Sequence, residues 1–470
     1  MADVPLPRAA LRETDVAAEG AAAERIAGAI PPTVDAILAT LGEAGHAAYA
    51  VGGSLRDVLL GRPAVDWDLA SDAPPDRVLA LFPGAIYENA FGTVAIRVAG
   101  EIFELTTFRT DHEYADHRRP HRVEFGTSIE EDLGRRDFTI NAMAWGGPAG
   151  AGRTLADPFG GVDDCAAGQI RAVGDPAARF REDALRMIRA VRLSAELGFE
   201  IEAATMAAIG DEAELAGHLS GERVAAELER LLAAPRPSVG LRAMEESGLL
   251  AVVAPELAAQ RGVAQAKIPG DDLWDHTCRA VDAAPADRPT VRLAALLHDI
   301  GKPRTAADGR FIGHEQVGAV MATEMLGRLR LPRSIVDRVE LLVREHMWNY
   351  EPAWTDAAVR RFIRKIGVDA VDELLALRAA DNIGSGLPPD ATGLGELRAR
   401  IDAQLEAEVA LHRADLAIDG DDLIAELAIE PGPRLGRILD ALTERVIADP
   451  GLNERPTLLL LAQAMLADGR

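Results

Sequence analysis

The sequence predicts an α+β fold in which a mixed α/β portion comes first and an all-helical remainder follows. Three observations predict it. Between residues 47 and 108, short apolar runs alternate with Gly- and Pro-containing turns, the pattern of strands mixed with short helices. From about Phe180 onward Ala, Leu, Glu and Arg dominate with helical periodicity. Breaks at Pro235/Pro237, at Pro269-Gly270 and over Gly384–Pro389 cut that helical remainder into successive pieces.

Taken in order, residues 1–30 are Ala- and charge-rich with little pattern and are expected to form a flexible tail. A helix pattern after Pro31-Pro32 leads to an apolar strand, Ala47–Val51, and the turn Gly52-Gly53. Ser54 is expected to cap a short helix that ends near Gly61. Val65–Ala70 reads as a strand, Pro74-Pro75 opens another helix, and Thr93–Val98 with Glu101–Phe108 read as a hairpin turning at Ala99-Gly100. The expected divisions are a tail (1–30), an α/β head (31–165), a helical segment (166–270), a second helical domain (271–385) and a helical C-terminal tail (386–470). No internal repeat or heptad run is present.

Composition narrows the function. A chain of 470 residues suits about three domains, and 48% hydrophobic residues supply their cores. A net charge of −25 opposes a general nucleic-acid coat. The arginines are clustered, however: Arg118, Arg119 and Arg122; Arg135 and Arg136; and Arg179, Arg181, Arg186, Arg189 and Arg192. A basic face on an acidic body fits one folded RNA. With 4% aromatics, base stacking is not the expected means of holding it. Cys165 and Cys278 are far apart, form no CxxC pair and fit a reducing compartment. The N-terminus carries Asp3, Glu13 and Asp15 rather than an apolar signal, and the run around Leu458–Leu461 is too short to span a bilayer, so a cytoplasmic location is expected.

Four motifs carry the first chemistry. Gly52-Gly53-Ser54-Leu55-Arg56-Asp57 follows a strand; its glycines permit close backbone approach to a phosphate, and Arg56 can reach a triphosphate. In Asp66-Trp67-Asp68 the carboxylates at i and i+2 of a strand share one side and would repel unless a cation such as Mg²⁺ lies between them. Glu104, on a neighbouring candidate strand, is a natural third carboxylate. Arg135-Arg136-Asp137-Phe138-Thr139-Ile140-Asn141-Ala142-Met143 joins a double arginine to an apolar segment, and Arg136 suits phosphate contacts. In Glu182-Asp183-Ala184-Leu185-Arg186, continuing through Arg189 and Arg192, residues three apart wind along one helix. Each motif alone is equally a turn, an acidic edge, a surface ion pair or a solvated helix face.

Together, GGxxRD, DxD, RRDFTxNAM and EDxxR resemble class II tRNA nucleotidyltransferases and bacterial poly(A) polymerases, over residues 45 to 195. Asp157-Pro158-Phe159-Gly160-Gly161 is similar to the family's head-to-neck connector. Asp421-Asp422-Leu423 and Pro431-Gly432-Pro433 resemble its tail motifs. The resemblance implies a polymerase-β-like head followed by helical neck, body and tail. It implies attack of a tRNA 3′-hydroxyl on CTP or ATP. Asp66 and Asp68, with Glu104, would hold Mg²⁺. Gly52, Gly53 and Arg56 would cradle the triphosphate, and Arg136, Arg189 and Arg192 would neutralise it. Asp183 and Arg186 would select the base. Asp offers acceptors and Arg donors, which matches the amino group beside a ring nitrogen in cytosine and adenine and mismatches uracil and guanine. A polar, His-containing segment, Thr110–Arg122, is expected to be flexible, and by the same resemblance to aid the switch from C to A addition.

A second set comprises His276, His298-Asp299, His314, His346 and Asp381. His298-Asp299 sits in Leu296-Leu297-His298-Asp299-Ile300-Gly301-Lys302 and resembles the HD phosphohydrolases, whose corresponding side chains bind one or two divalent metals. Imidazole and carboxylate suit Mn, Ni, Fe or Zn and metal-assisted hydrolysis of a phosphoester. Phosphoesters such as cyclic phosphates at RNA ends are the substrates this implies. A degenerate, metal-free domain is the alternative. His46 and His218 have no motif and are expected to be structural. Other readings are a poly(A) polymerase or A-adding enzyme, an HD-driven nucleotide phosphohydrolase with a sensing head, and a silent RNA-binding protein. Neither a membrane nor a protein partner is implied.

Overall fold

A computed structural model describes residues 13–87, 92–114, 120–126, 128–265 and 267–467. The chain divides into two compact units, Met1–Pro255 and Glu256–Arg470. Residues 256–270 therefore group with the second unit rather than with the helical segment before it.

In the first unit the described strands are β1 (Ala48–Val51), β2 (Asp68–Ser71), β3 (Ile86–Tyr87), β4 (Thr93–Val98), β5 (Glu101–Thr107), β6 (Arg109–Tyr114), β7 (Pro120–Phe125), β8 (Ala144–Gly147), β9 (Thr154–Ala156), β10 (Gln169–Ile170) and β11 (Glu200–Ile201). Seven form one sheet in the order β3-β4-β5-β2-β1-β8-β9. Within it β2 and β5 run parallel and the other pairs antiparallel; β10 and β11 form a separate short parallel pair. β1 is central and buried at all four positions, as its unbroken apolar run Ala-Tyr-Ala-Val requires. Tyr49, Val51, Ala70, Phe108 and Ala144 pack with Ile129 and Leu133 beneath the sheet. The β4–β5 hairpin turns at Ala99-Gly100 as expected, with φ of 51° and 88°; two positive φ values at a two-residue loop make the turn whose twist matches the strands.

Several expectations are corrected. β2 begins at Asp68, so Asp66 lies in the approach to the strand rather than within it. Ser54 does not cap its helix: Gly52 holds that position, and Ser54 is buried inside the first turn. Residues Glu13–Ala29 are helical, not a frayed tail. Ala22 and Ile26, one turn apart, are buried on a shared face, and Arg25 donates to the Val58 carbonyl at 3.5 Å. The ends of the segment expected to be a flexible loop, Thr110–Arg122, belong to β6 and β7, which pair as a separate two-stranded sheet. Arg118 and Arg119 lie outside the described residues.

The described α-helices of the first unit are α1 (Glu13–Ala29), α2 (Pro32–Glu43), α3 (Gly53–Leu59), α4 (Pro75–Leu81), α5 (Ile129–Gly134), α6 (Gly161–Ala167), α7 (Pro176–Glu182), α8 (Leu185–Leu197), α9 (Ala203–Glu212), α10 (Gly221–Ala233), α11 (Pro237–Glu246) and α12 (Leu249–Val253). α10 and α11 both pack on α8. α8 buries Met187, Ile188, Val191 and Leu193 among its core side chains and carries Arg186, Arg189 and Arg192 between them.

The second unit is all helical. Helices Leu273–Ala283, Pro289–Leu297, His314–Arg328, Arg333–Glu345 and Val368–Gly384 pack together around buried Trp274, Leu296 and Leu342. A C-terminal cluster of Leu423, Ile438, Leu442, Val446 and Leu458 forms a further core. No described helix is long and apolar enough to cross a membrane.

Removing the Ile26 side chain leaves a cavity beneath α1. Ile26→Ala should therefore lower unfolding free energy by about 2–4 kcal/mol in chemical denaturation. A change below about 0.5 kcal/mol would mean that α1 does not dock.

Candidate functional site

In the first unit the site forms where β1 hands over to α3. Gly52 has φ 87° and ψ −146°, a conformation that only glycine adopts without strain. A Cβ there would lie 3.0 Å from Arg136 Nη1 and 3.5 Å from Asp68 Oδ2. The side of Gly52 where a Cβ would stand thus abuts both a cation and a carboxylate. A Cβ on Gly53 would meet Arg56 Nη2 at 3.3 Å. The buried Ser54 Oγ has no hydrogen-bond partner among the described residues.

The carboxylates share one face. Val51 pairs with Asp68, and Leu69 pairs with Leu105 on the parallel neighbour. One residue back along both strands sets Asp68 beside Glu104, and both are exposed while Leu69 and Leu105 are buried. Asp66 is exposed across buried Trp67, so it too faces away from the core. Burial pushes the Asp68 carboxyl above its ordinary range, Arg136 opposes this, and the charge on Asp66 adds to it. Carboxylates gathered on one open, oxygen-lined face fit a hard divalent cation.

The double arginine splits its tasks. Arg135 donates to buried Asp132 at 2.7 and 3.0 Å. Arg136 faces Gly52, with Asp132 3.7 Å away, and burial lowers its pKa despite Asp132 and Asp68. Asp137 turns the other way. It accepts from Asn141 Nδ2 at 3.1 Å and from Arg189 Nε at 2.9 Å. Asn141 in turn accepts from Arg56 Nη1 at 2.7 Å. The chain Arg56–Asn141–Asp137–Arg189 joins three of the four motifs into one network.

The fourth motif is less uniform than its spacing suggests. Asp183 and Arg186 do not pair with each other. Asp183 accepts from the Leu185 amide at 3.1 Å and from Arg223 at 2.7 Å. Arg186 donates to Glu182 at 2.8 Å and to the carbonyls of Arg179 and Arg135 at 3.2 and 2.7 Å. Three of its five N–H groups are thereby used, and each Asp183 oxygen has accepted one bond, so acceptor and donor capacity remains on both. Arg192 does not meet its expectation as a triphosphate contact. Its side chain is only 7% exposed and is enclosed by Glu227 at 2.6 Å and by Glu196. Its charge is already matched, and it braces α10 on α8. Arg189 is also held, by Asp137 and by Glu227 at 3.5 Å. Arg223 and Glu227 escaped notice in the sequence because α10 reads as an ordinary amphipathic helix; their four-residue spacing was the available signal.

In the second unit all six expected ligands converge. His276, His298 and Asp381 form one group able to hold an ion, and Asp299, His314 and His346 form another. Asp299 spans both. Its Oδ2 is 3.3 Å from His276 Nε2 and 3.2 Å from His298 Nε2; its Oδ1 is 3.2 Å from His314 Nε2 and 3.6 Å from His346 Nε2. The imidazoles are oriented from behind. His298, His314 and His346 donate through Nδ1 to the carbonyls of Ala295, Phe311 and Val343 at 2.7–2.8 Å. In the neutral ring that leaves each Nε2 as a lone pair aimed inward, where His276 and His298 meet at 3.0 Å and His314 and His346 at 3.2 Å. Facing lone pairs require a proton or a metal between them. Burial lowers the pKa of His276 and His346, which favours the neutral form that ligates. The donor set therefore fits one or two divalent ions, which His276, His298 and Asp381 and also Asp299, His314 and His346 would hold. His46, outside both sites, contacts Asp72 at 3.1 Å.

Comparison with known proteins agrees with this division. The chain matches the poly A polymerase head domain over residues 48–171 and the probable RNA and SrmB-binding site of polymerase A over 198–261. It matches the HD domain over 259–384. It is 34% identical to the CCA-adding enzyme of Geobacillus stearothermophilus, covering 90% of this chain and 95% of that protein. The relative from Lacticaseibacillus paracasei is 34% identical, with 92% and 96% covered. A crystal structure of the Bacillus stearothermophilus CCA-adding enzyme in complex with CTP superposes with a TM-score of 0.69 and 31% identity, covering 94% of this chain and 99% of that one. The Thermotoga maritima CCA-adding enzyme complexed with tRNA, at 19% identity, shares the fold with a TM-score of 0.60. Matched from head to tail at this level, the chain belongs to the family of CCA-adding enzymes.

Proposed function

We propose that this chain adds CCA to tRNA 3′ ends without a template, using CTP and ATP and releasing pyrophosphate. The observation that carries the reading is the meeting of Gly52, Asp68 and Arg136 at the end of β1, with Glu104 beside Asp68 on the same open face. Asp66, Asp68 and Glu104 would hold Mg²⁺, which when bound supplies Lewis acidity to the attacking hydroxyl and the leaving group. Gly52, Gly53 and Arg56 receive the triphosphate, with Arg136 neutralising it across the Gly52 backbone. Arg189 acts from behind, holding Asp137 and through it Asn141 and Arg56.

Base choice rests on Asp183 and Arg186. Arg223 holds Asp183 and the Arg135 carbonyl holds Arg186, so acceptor and donor are presented at fixed places. Cytosine and adenine satisfy both. Uracil or guanine would leave each group facing its own kind, at about 1–3 kcal/mol apiece. Residues 31–165 are the head under this reading, 166–270 the neck with its last turns passing into the second unit, 271–385 the HD body and 386–470 the tail. The protein acts in the cytoplasm, where its tRNA is.

The second unit is proposed to be a metal-dependent phosphohydrolase. His276, His298 and Asp381 hold one divalent transition metal, Mn, Ni, Fe or Zn, and His314, His346 and Asp299 hold another. Such a pair supplies Lewis acidity to a phosphoester and its nucleophile when bound. The backbone carbonyls behind His298, His314 and His346 fix the tautomers of those three rings.

Incubating the protein with trimmed tRNA, CTP and ATP and sequencing the products should give CCA ends; A-only tails would identify a poly(A)-type enzyme instead. Asp68→Ala should cut addition by roughly a thousandfold or more while leaving the metal content of the second unit unchanged. In Arg186→Ala, discrimination against UTP should fall roughly tenfold or more, and retained selectivity would refute the role. His298→Ala should lose bound transition metal and chelator-sensitive phosphoesterase activity with nucleotide addition intact. Loss of both activities would contradict independent sites.

A further inference from the structure

The open face of the first unit's sheet does not end at its carboxylates. Across β4 and β5, Ala95 pairs with Glu104 and Arg97 with Ile102; across β3 and β4, Ile86 pairs with Ala95. Directly paired residues share a face, so Ile86, Ala95, Arg97, Ile102 and Glu104 all stand on one side. Val94, Ile96, Phe103 and Leu105 fill the other side and are buried. On the open side Ile86 is 61% exposed and Ile102 59%, and Arg97 is exposed as well.

Packing within the sheet does not account for these side chains, since its core lies on the opposite face. The arginine is unusual for a second reason. Its cross-strand neighbour Ile102 brings no charge, and Arg97 has no ion pair among the described residues. The arginines nearer α8 are tied to carboxylates: Arg135 to Asp132, Arg189 to Asp137, Arg192 to Glu227 and Arg223 to Asp183. Arg97 keeps its whole donor fork free, on a face where Asp66, Asp68 and Glu104 would otherwise repel any phosphate.

The direction of the chemistry says which partner it serves. In-line displacement puts the attacking and leaving oxygens on opposite sides of the phosphorus. On the nucleotidyl-transfer reading, the triphosphate lies against Gly52 and Arg136 at the end of β1. From there the sheet runs β1, β2, β5, β4, β3, with the carboxylates of β2 and β5 in the middle. The 3′-hydroxyl therefore arrives from the β4 and β3 side. An RNA strand entering there crosses Ile86, Ala95, Arg97 and Ile102 before its terminal ribose reaches Glu104. Arg97 is the diagonal neighbour of Glu104, with about 7–8 Å between their Cα atoms. That spacing suits the phosphate one nucleotide behind the attacking hydroxyl.

We propose that β3, β4 and β5 form the track for the RNA 3′ end, in which Arg97 binds the last internucleotide phosphate and Ile102 and Ile86 carry the riboses on either side of it. The inference rests on the nucleotidyl-transfer reading of the site. Arg97 is a positioning residue here: it holds the strand one nucleotide back, so that the hydroxyl meets the carboxylates. All three side chains are exposed, so replacing them leaves the core of the sheet intact.

The test is nucleotide addition by the full-length protein to trimmed tRNA, made either with all its phosphates or with a neutral methylphosphonate at the last linkage. Arg97→Met should raise the KM for tRNA roughly tenfold and leave the KM for CTP unmoved, and Arg97→Lys should recover most of the loss. The slope of log tRNA affinity against log salt should become shallower by about 0.7 in Arg97→Met, the share of one phosphate contact. The neutral linkage should weaken the unaltered protein about as much as Arg97→Met does, and should weaken Arg97→Met hardly further. Ile102→Ser should raise the KM for tRNA with the salt slope unchanged. If Arg97→Met keeps its KM for tRNA, or feels the neutral linkage as strongly as the unaltered protein, the contact does not exist. A rise in the KM for CTP instead would place Arg97 with the triphosphate and overturn the track. Failure of the unaltered protein to extend trimmed tRNA at all would sink the nucleotidyl-transfer reading, and the track with it.

Discussion

The Asp137 carboxylate is the constraint on which the nucleotidyl-transfer site depends. It stands between the segment that follows the double arginine and the long helix α8. One oxygen takes Asn141, which fixes Arg56 at the Gly52-Gly53 turn; the other takes Arg189. Burial works against its charge, but Arg189, with Asn141 and Arg186, holds its pKa well below the ordinary 3.8. The sign follows from that depression. Its contribution to stability is complete above the unfolded value and is lost as the pH falls below it toward the depressed one. At neutral pH the Gly52-Gly53 turn and helix α8 are therefore one mechanical piece. Arg192 and Glu227 extend the same logic one turn further along α8.

The two sites solve opposite problems. The first is an open face of oxygen donors on the interior strands β2 and β5, where a metal could keep part of its water and share substrate phosphates. The second is an enclosed cluster of imidazoles and carboxylates, in which the rings of His298, His314 and His346 are each held by a backbone carbonyl three residues earlier in the chain. That i−3 pattern makes the helix ends themselves the outer support of the ligands, so the centre is organised by the packing of helices rather than by a dedicated loop. Buried polar networks of this kind tolerate no partial removal, since each orphaned group costs its desolvation.

Much of this was legible in the sequence. Strand β1, the β4–β5 hairpin and its Ala99-Gly100 turn are local features, and local patterning gave them. The six histidine and aspartate ligands were readable because metal chemistry restricts which residues can serve. What local patterning missed depends on distant partners. The α1 helix has low amphipathicity, and its order comes from two buried side chains, Ala22 and Ile26. Asp66 falls outside β2 because the antiparallel pairing with β1 stops at Val51 and Asp68, where β1 gives way to the Gly52 turn. Spacing on α8 grouped Arg186, Arg189 and Arg192 as one stripe, yet Glu227 and Glu196 take up Arg192. No reading of the α8 segment alone reveals carboxylates that arrive from α10. Arg223, which reaches Asp183 from α10, shows its partner only in the fold.

The most direct measurement is a double-mutant cycle on Asp137→Asn and Arg189→Met, read at neutral pH both as unfolding free energy and as incorporation of CTP against UTP. If the carboxylate couples turn and helix, each single change costs about 3 kcal/mol. The pair together then costs little more than either, and cytidine addition falls in parallel in all three variants. Additive losses with nucleotide addition and selectivity intact would contradict the account.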